Sequence, residues 1–402
     1  MIKTSDNNVM IKHTKKDLML LIVIGGLFSL GVFLSNTFVN VFLWRQTNDY
    51  LTIAIYNVTI FIFQPIAFII AGRVSKTVDR IIVLRLGIIF LCLFYITVLI
   101  LNEKAAYYNI ILGCLLGIGY GFYWLAFNVL TFEITEPKTR DFFNGLIGAL
   151  ESFAGMTGPL IAGILIAKLT TNIGYTTIFS ISLSLFLLAV TCSMFLQRRK
   201  ATGKYELTEV YREIRLNQNW KHINYANLFF GIREGTFVFV ITIWVFLITQ
   251  SELALGVFHL VLNGVSLVGY IVIGKVITPN IKKQAIFIGC FLASIAIYLF
   301  SIQFSYVIVL LYAFTVGIAY PLLNIPYNSL TYDVIGVSKN AKDWRIEYVV
   351  IFECFINIGR IVSVILFIAL YLIFEERMIA YLLFIISPSL LFVYYYMKKI
   401  TI

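Results

Sequence analysis

Charged residues are scarce in this chain, and their scarcity is the first constraint on its structure. Of 402 residues, 13% are Asp, Glu, Lys or Arg and 60% are hydrophobic, and the mean hydropathy is +0.92. A soluble domain carries about a quarter of its residues as charges. Apolar stretches of about 20 residues, long enough to cross a bilayer, recur along the whole chain. The composition excludes a soluble globular protein and predicts a polytopic membrane protein.

Cysteine and histidine, which hold most disulfides and metal ions, are few as well. The chain has 3 histidines, and its five cysteines fall inside apolar stretches with none paired at loop spacing. This pattern argues against a disulfide framework and against a thiolate metal site. A nucleophile motif, a metal-ligand cluster and a phosphate-binding loop are also missing from the sequence. We therefore expect no enzymatic activity, no metal and no cofactor.

Twelve apolar runs separated by charged breaks predict twelve transmembrane helices and an all-α fold. A membrane β-barrel would need alternating segments of about ten residues, which this sequence does not contain. The predicted spans are 18–43, 52–74, 82–101, 107–132, 142–168, 175–196, 223–248, 253–274, 284–303, 306–332, 346–373 and 378–397.

The two halves of the chain are related by an internal repeat. Nineteen residues from Gly117 (GIGYGFYWLAFNVLTFEIT) return from Gly317 (GIAYPLLNIPYNSLTYDVI), and six positions are identical, an Asn and a Thr among them. Apolar segments can match by chance at Leu and Ile, but polar residues in register indicate duplication. We predict two pseudo-symmetric six-helix bundles. The predicted units are a first bundle at 1–197, a cytoplasmic linker at 198–222 and a second bundle at 223–402.

The distribution of basic residues predicts the orientation. With the N-terminus in the cytoplasm, 25 of the 31 Lys and Arg residues fall in cytoplasmic segments. This positive-inside bias accounts for the net charge of +11 without a nucleic-acid partner. The first seventeen residues are hydrophilic, so we expect the first span, rather than a cleavable signal, to direct insertion. We predict a multi-pass protein of the cell membrane with both termini in the cytoplasm.

Twelve helices in two parallel six-helix repeats, joined by a charged central loop, resemble the major facilitator superfamily of secondary transporters. The resemblance covers the whole chain, and the architecture carries more of it than the motifs do. It implies alternating access around a central cavity. In the family, the first, fourth, seventh and tenth helices line the transport path.

The best-known signature of the family is a loop after the second helix, which holds a glycine, an acid and several bases. Here the loop reads GRVSKTVDR from Gly72 to Arg80, with Lys76 where the family has its Asp. The equivalent loop after the eighth span also lacks the acid. In the family this acid helps to latch the cytoplasmic sides of the two halves, so the latch here must differ. The candidate gating residues are Gly72, Lys76, Asp79, Arg80, Lys275 and Lys282.

Exporters of the family carry a glycine pattern on the fifth helix, and this chain keeps its spacing with alanine at two positions. The residues of this packing motif are Gly145, Ala154, Gly158, Pro159 and Gly163. Small residues let helix backbones approach, and Gly-Pro bends a helix where a domain interface must seal and open. The pattern favours export, although any tightly packed membrane helix can use Gly and Ala in this way. The Arg that exporters carry on the fourth helix is Gly113 here, so coupling through that Arg is not available.

Five charged residues stand out inside the predicted spans, away from the span ends. They are Glu151 on the fifth span, Arg233 and Glu234 on the seventh, and Glu353 and Arg360 on the eleventh. An ionised side chain at the bilayer centre costs at least about 2.5 kcal/mol, so it must face a cavity, a partner or a protonation role. A carboxyl that alternates between water and a basic partner gains and loses a proton in each cycle. Glu151, Glu234 and Glu353 are therefore the candidate proton-coupling groups.

The repeat separates these charges into two kinds. Glu151 and Glu353 are equivalent at a shift of 202 residues, whereas the other three charges have uncharged counterparts in the first copy. We expect the two equivalent carboxyls to face one central cavity. Glu353, Asn357 and Arg360 are spaced i, i+4 and i+7, which places them on one helix face. A structural ion pair between helices would explain Glu353 and Arg360 equally well.

Arg233 and Glu234 are adjacent and point about 100° apart on a helix, so they are not expected to neutralise each other. We expect Arg233 to pair across the domain interface with Glu151 or Glu353. Arg233 and Arg360 are thus the candidate charge partners of the three carboxyls.

Neutral polar and aromatic side chains complete the predicted cavity. Several lie on the helices that line the path in the family, and His259 is the repeat equivalent of Asn57. A histidine inside a membrane more often bridges helices than contacts a substrate, so His259 also has a structural interpretation. The candidate cavity residues are Asn36, Asn57, Tyr123, Trp124, His259, Asn324 and Asn328.

These features predict a monomeric secondary active transporter in the lipid bilayer, working by alternating access. The leading mechanism is export of a small amphipathic or hydrophobic compound in exchange for protons. The alternatives are proton-symport uptake of a sugar, peptide or anion, a lipid or glycolipid flippase, and a membrane assembly factor without transport. A flippase would need a lateral apolar opening between the halves. A protein without transport should tolerate neutralisation of the three carboxyls.

Overall fold

The computed structural model describes residues 2–134, 137–198, 203–375 and 379–401, with side chains from Lys16 onward except at 132–133, 137–145 and 279. Its long helices follow the predicted apolar runs. The helices are α1 Ile2–Thr47, α2 Tyr50–Thr77, α3 Arg80–Leu101, α4 Asn109–Ile134, α5 Pro137–Lys168, α6 Thr171–Met194, α7 Leu207–Leu216, α8 Gln218–Thr249, α9 Glu252–Val276, α10 Lys282–Ile295, α11 Tyr306–Val337, α12 Arg345–Phe374, α13 Ile379–Ile386 and α14 Ser389–Met397.

The twelve predicted crossings are confirmed. In the described part of the chain, 11 ranges are long and apolar enough to cross a membrane, and one of them, Arg80–Thr131, contains both α3 and α4. Helix α10 continues as a 3₁₀ turn over Ala296–Ser301, and α13 with α14 makes the last crossing. Because the number of crossings is even, both termini lie on one side of the membrane, called here the termini side.

The last crossing is broken at Pro388, and neighbouring serines compensate for the break. Proline has no N–H to donate, so the helical hydrogen bonds stop between α13 and α14. Ser294 Oγ on α10 donates to the carbonyl of Ser387 at 3.0 Å, and Ser387 Oγ donates back to the carbonyl of Ser294 at 2.8 Å. Without water in the bilayer, such exchanged bonds are what makes a broken helix tolerable.

Side chains of Asp, Asn and Ser cap the first turns of several helices. Asp49 Oδ1 and Oδ2 each accept a backbone N–H of the first turn of α2 at 3.0 Å, and Asp79 Oδ1 accepts from Ile81 N at 2.8 Å at the start of α3. Asn217 and Ser251 cap α8 and α9 in the same way. Each cap satisfies backbone donors that the first helical turn leaves free.

Helices α1–α6 pack on one another, and so do α8–α14. Two helix pairs make the most extensive contacts between these groups: α5 packs along α9, and α2 packs along α12. The predicted unit boundaries at 197, 198–222 and 223 remain a prediction. Within the predicted linker, α7 forms at Leu207–Leu216, and α8 begins at Gln218, earlier than the predicted start at 223.

Small residues of α5 lie at the junction with α9. A Cβ on Gly163 would lie 2.6 Å from the carbonyl oxygen of Glu252, and a Cβ on Gly256 would lie 2.7 Å from that of Pro159. Gly158 faces the other way and approaches α1, where a Cβ would lie 2.9 Å from Leu34 N. The predicted packing motif thus fits α5 between α1 and α9. Ala154 is fully buried in α5, whereas the surroundings of Gly145 lie outside the described residues.

Candidate functional site

A charged pair inside the second bundle joins α8 to α12. Arg360 Nη2 donates to Glu234 Oε2 at 2.6 Å, and Arg360 Nε donates to the same oxygen at 3.2 Å. The two side chains are 22% and 27% exposed, so the pair is only partly enclosed. Charge-assisted hydrogen bonds of this length are about twice as strong as neutral ones. The pair partly compensates for placing both charges inside a membrane.

Glycines bring the backbones of α8 and α12 close enough for this pair to form. A Cβ on Gly235 would lie 2.5 Å from the carbonyl oxygen of Arg360, and Gly231 and Gly359 leave even less room. Thr236 and Ser363 then exchange hydrogen bonds across the same crossing. Larger residues at these positions would push the helices apart.

The equivalent crossing in the first bundle, between α1 and α5, has its glycine on the other helix of the pair. By the repeat, Gly235 corresponds to Phe33 and Arg360 to Gly158. In the first bundle the glycine lies on α5 and packs against Phe33 of α1, whereas in the second bundle it lies on the equivalent of α1. Gly235 thus makes room for the backbone of Arg360, whereas in the first bundle Gly158 makes room for the backbone of α1.

Arg360 lies at the face of the second bundle that meets the first. Its guanidinium carbon lies 5.4 Å from the ring centroid of Phe61 on α2. Its Nη1 also donates to Asn357 Oδ1 at 3.4 Å, and Asn357 Nδ2 donates to the carbonyl of Glu353 at 2.9 Å. The predicted polar face of α12 is thus present. Along it, Asn357 links the side chain of Arg360 to the backbone carbonyl of Glu353.

The expected pairing of Arg233 with Glu151 or Glu353 was wrong. Arg233 is 3% exposed and points into the second bundle, where its Nη2 donates to Tyr312 OH on α11 at 3.0 Å. Its guanidinium carbon lies 3.5 Å from the ring centroid of Phe237. The helical rotation that separates Arg233 from Glu234 is responsible, because Glu234 turns towards α12 and Arg233 towards α11.

Glu151 and Glu353 occupy equivalent positions on α5 and α12, and both are half-buried. Among the described residues, neither carboxylate has a hydrogen-bond or ion-pair partner. Glu151 is close enough to Tyr123 and Tyr270 to interact with them electrostatically. Glu353 interacts in the same way with Arg360 and Glu234. The two carboxyls are thus partly buried and partly accessible.

The remaining cavity candidates fall into two groups. Trp124, Asn36 and Asn324 are half-buried, Asn328 is exposed, and Asn324 Nδ2 donates to Tyr270 OH at 3.3 Å.

Asn57 and Tyr123, in contrast, belong to the packing of the first bundle. Asn57 is 3% exposed, and its Nδ2 donates to Asn40 Oδ1 at 2.9 Å. Tyr123 is 1% exposed and its ring stacks on Phe28 with centroids 3.5 Å apart. Neither presents a polar surface to a cavity in this conformation, contrary to the sequence-based expectation.

On the termini side, Lys76 of α2 forms an ion pair with Glu347 of α12. The two side chains are 4% and 0% exposed. Lys76 Nζ also donates to the carbonyls of Asp343 at 2.9 Å and of Lys204 at 3.0 Å, and Glu206 N donates to Glu347 Oε1 at 2.9 Å. The expectation of a different latch is thus matched by a pair in which the base comes from the first half and the acid from the second.

The linker takes part in this latch. Tyr205 packs on Gly72, where a Cβ would lie 2.8 Å from the Tyr205 hydroxyl oxygen, and that hydroxyl donates to the carbonyl of Ile69 at 3.2 Å. Burial raises the pKa of Tyr205, so it stays a neutral donor. Gly72 is needed here because a larger residue would displace the linker from α2.

The other candidate gating residues play different parts. Asp79 caps α3, and Arg80 is buried at the edge of a cavity of about 880 Å³ whose lining is rich in basic side chains. Lys282 donates to Ser329 Oγ at 2.7 Å and to Asp333 Oδ2 at 3.2 Å, which holds α10 to α11 within the second bundle. Lys275 is exposed at the end of α9.

On the opposite side of the membrane, a second ion pair joins the halves. Arg45 Nε at the end of α1 donates to Glu252 Oε1 at the start of α9 at 2.7 Å, and Tyr175 OH on α6 donates to the same oxygen at 3.0 Å. Sequence reasoning did not identify Glu252, Glu347 or Arg45. An acid at a helix start on a basic membrane edge is a signal for Glu347, but its partner cannot be read from the sequence.

Two helical bundles that meet along two helix pairs, are closed by ion pairs on both sides and hold charges between the membrane faces define a transporter of the secondary type. The sequence profile of the Major Facilitator Superfamily matches residues 21–343, and the chain belongs to that family.

Two relatives are similar in sequence. Uncharacterized protein YqgE of Bacillus subtilis (strain 168) is 49% identical over 386 residues, which cover 96% of this chain and 90% of the relative. An uncharacterized protein in the sodM 3'region of Geobacillus stearothermophilus is 51% identical over 193 residues, covering 48% of this chain and 90% of the relative.

Two solved structures share the fold. The crystal structure of the nucleoside transporter NupG aligns with a TM-score of 0.72 at 12% identity, over 96% of this chain and 100% of that one. That of an auto-inhibited POT family peptide transporter aligns with a TM-score of 0.74 at 8% identity, over 96% of this chain and 97% of that one. At these identities the likeness concerns the fold alone.

Proposed function

We propose that this protein exports a small amphipathic compound across the cell membrane in exchange for protons, by alternating access, with both termini in the cytoplasm. One observation carries the proposal. Glu151 and Glu353 lie at equivalent positions inside the membrane, partly accessible and without a hydrogen-bond or ion-pair partner among the described residues. Because an unpaired carboxylate in hydrocarbon is costly, such groups are stable only when they are hydrated, protonated or bound to a ligand.

The proton enters the proposed cycle at these carboxyls. When the cavity opens to water on one side, the carboxyl ionises, and when it closes, protonation or a bound cationic group removes the cost of burying the charge. Glu234 is less suited to this role than the sequence indicated, because its carboxylate already accepts two hydrogen bonds from Arg360. We assign Glu234 and Arg360 to the interface between the bundles.

Export is the proposed direction because the small-residue spacing of α5 is that of exporters and occupies a junction between the halves. Gly163 and Gly158 bring α5 against the backbones of α9 and α1. A seal built on backbone contact can close tightly and still slide, which an outward-opening cycle needs.

The test is transport by the purified full-length protein in proteoliposomes with an imposed pH gradient, an internal pH-sensitive dye and a panel of amphipathic compounds. The variants are Glu151→Gln, Glu353→Gln and the double variant. Glu375→Gln is the matched control, because Glu375 is exposed at the end of α12.

We expect at least one compound to change the proton flux, and each single variant to reduce that change at least tenfold, while the control keeps it. Movement of compound and protons in the same direction would replace export by symport. Proton flux that no compound changes, in wild type and variants alike, would overturn the coupling.

A further inference from the structure

A cavity of about 190 Å³ lies inside the second bundle between α8, α9 and α11. Its polar lining consists mainly of Arg233, Glu234, His259, Tyr312 and Tyr320, and its apolar wall includes Phe237 and Phe258. Val238, which is 52% exposed, lies at its edge. The cavity has room for a small organic molecule and is too small for a lipid with its acyl chains.

The positive charge of Arg233 has no carboxylate contact among the described residues. Its one described hydrogen bond goes to the hydroxyl of Tyr312. Glu234, the nearest acid in sequence, already accepts two bonds from Arg360. A guanidinium inside a membrane helix is ordinarily compensated by an acid or by carbonyls. Glu234 also lines the cavity, but it is paired with Arg360, which leaves the charge of Arg233 without a bonded acid among the described residues.

Two nitrogens of the cavity lining also lack hydrogen-bond partners within the described chain. Arg233 Nε on α8 and His259 Nε2 on α9 are both buried without one. A buried donor without an acceptor costs about 1–3 kcal/mol, and more when the group is charged. That two such nitrogens from different helices line the same cavity is independent of the charge argument, and it favours a ligand with polar atoms that hydrogen-bond to them.

We propose that this cavity binds the carboxylate of a small amphipathic organic acid, with its apolar part against Phe237 and Phe258. A guanidinium matches the two oxygens of a carboxylate in geometry and charge. The aromatic wall excludes a small inorganic anion as the best ligand, because hydrated ions gain nothing from apolar surface. The proposal rests on the proposed function, since it names the substrate class of that transporter.

Equilibrium binding to the full-length protein in lipid nanodiscs tests this proposal without a gradient. The probes are benzoate, its neutral isostere benzamide, and chloride, measured by calorimetry and by the shift in unfolding temperature. We expect saturable binding of benzoate and at least tenfold weaker binding of benzamide and chloride. Equal affinity for benzoate and benzamide, or no binding of benzoate, would overturn the proposal.

Variants locate the site. Arg233→Gln should weaken benzoate binding at least tenfold, because it removes the guanidinium that would bind both carboxylate oxygens. Lys104→Gln, at an exposed position in the 3₁₀ helix between α3 and α4, should leave the affinity unchanged. A folded Arg233→Gln protein with wild-type affinity, or an equal loss in the Lys104 control, would overturn the site.

Two conservative variants keep the test decisive if Arg233→Gln does not fold. Arg233→Lys retains the charge without the fork, and His259→Phe retains the ring contact with Phe258 without the nitrogens. Each should weaken benzoate binding about tenfold, and wild-type affinity in both would overturn the proposal. Binding of benzoate with no proton flux in proteoliposomes would support the cavity and contradict the coupling, so the two failures are distinguishable.

Discussion

At the scale of residues, the energetics of the latch depend on Lys76 and Glu347. Both are almost fully enclosed, so removing either charge leaves the other buried and uncompensated. Breaking a buried pair in this way typically costs about 3–5 kcal/mol, whereas replacing both partners by apolar residues of similar volume is often neutral. We expect Lys76→Met and Glu347→Met each to lower the unfolding temperature strongly, and the double variant to recover most of the loss in a thermal melt in detergent.

The matched control is the pair of Arg212 and Glu209 on α7, whose side chains are 66% and 38% exposed. Neutralising this pair should change stability by less than about 1 kcal/mol, because water and salt screen it. Additive losses at positions 76 and 347, with no recovery in the double variant, would show that the two charges are not coupled.

What the sequence could predict about these residues follows from distance along the chain. The unusual base at Lys76 was visible locally, but its partner lies 271 residues away. Arg45 and Glu252 are 207 residues apart and were missed for the same reason. The direction of Arg233 was misjudged because charge alone says nothing about which of several neighbouring helices a side chain faces.

At the scale of elements, the crossing of α8 and α12 depends on glycine. Gly359 has no room for a side chain against α8, so Gly359→Leu should force the helices apart and separate Glu234 from Arg360. Overpacking of this kind costs about 3 kcal/mol. Gly274→Leu on α9 is the control, because no described atom lies within 4 Å of its Cβ position. We expect a large fall in unfolding temperature for the first variant only, and equal stability of both would contradict the role of the crossing.

The sequence predicted the helices of this crossing but not the crossing itself. Apolar runs and charged breaks fix where the chain enters and leaves the membrane, which is why twelve spans could be predicted. The first bundle has its glycine on α5 at this crossing, and the second has it on α8, so the difference concerns how two helices pack. This difference becomes visible only from the contacts that Gly158 makes with α1 and Gly235 makes with α12.

At the scale of the molecule, two ion pairs hold the halves together on opposite sides of the membrane. Lys76–Glu347 joins α2 to α12 on the termini side, and Arg45–Glu252 joins α1 to α9 on the other. Alternating access requires that the two closures break in turn, so each pair stabilises the conformations in which its own side is closed. The two ion pairs therefore stabilise opposite conformations of the same equilibrium.

Neutralising one pair should shift this equilibrium towards opening on that side only. Spin labels in a cysteine-free background can report it, with Val78→Cys and Val337→Cys on the termini side, and Tyr107→Cys and Ile302→Cys on the other, all at exposed positions. Because each 1.4 kcal/mol is a tenfold change in population and the buried pair contributes more than that, Glu347→Gln should raise the long-distance population of the first pair at least about tenfold and leave the second unchanged or shorter. Glu252→Gln should do the reverse, and Glu209→Gln should alter neither. Lengthening of both label pairs by one substitution would mean that the halves loosen together, and that the two ion pairs are structural rather than alternating closures.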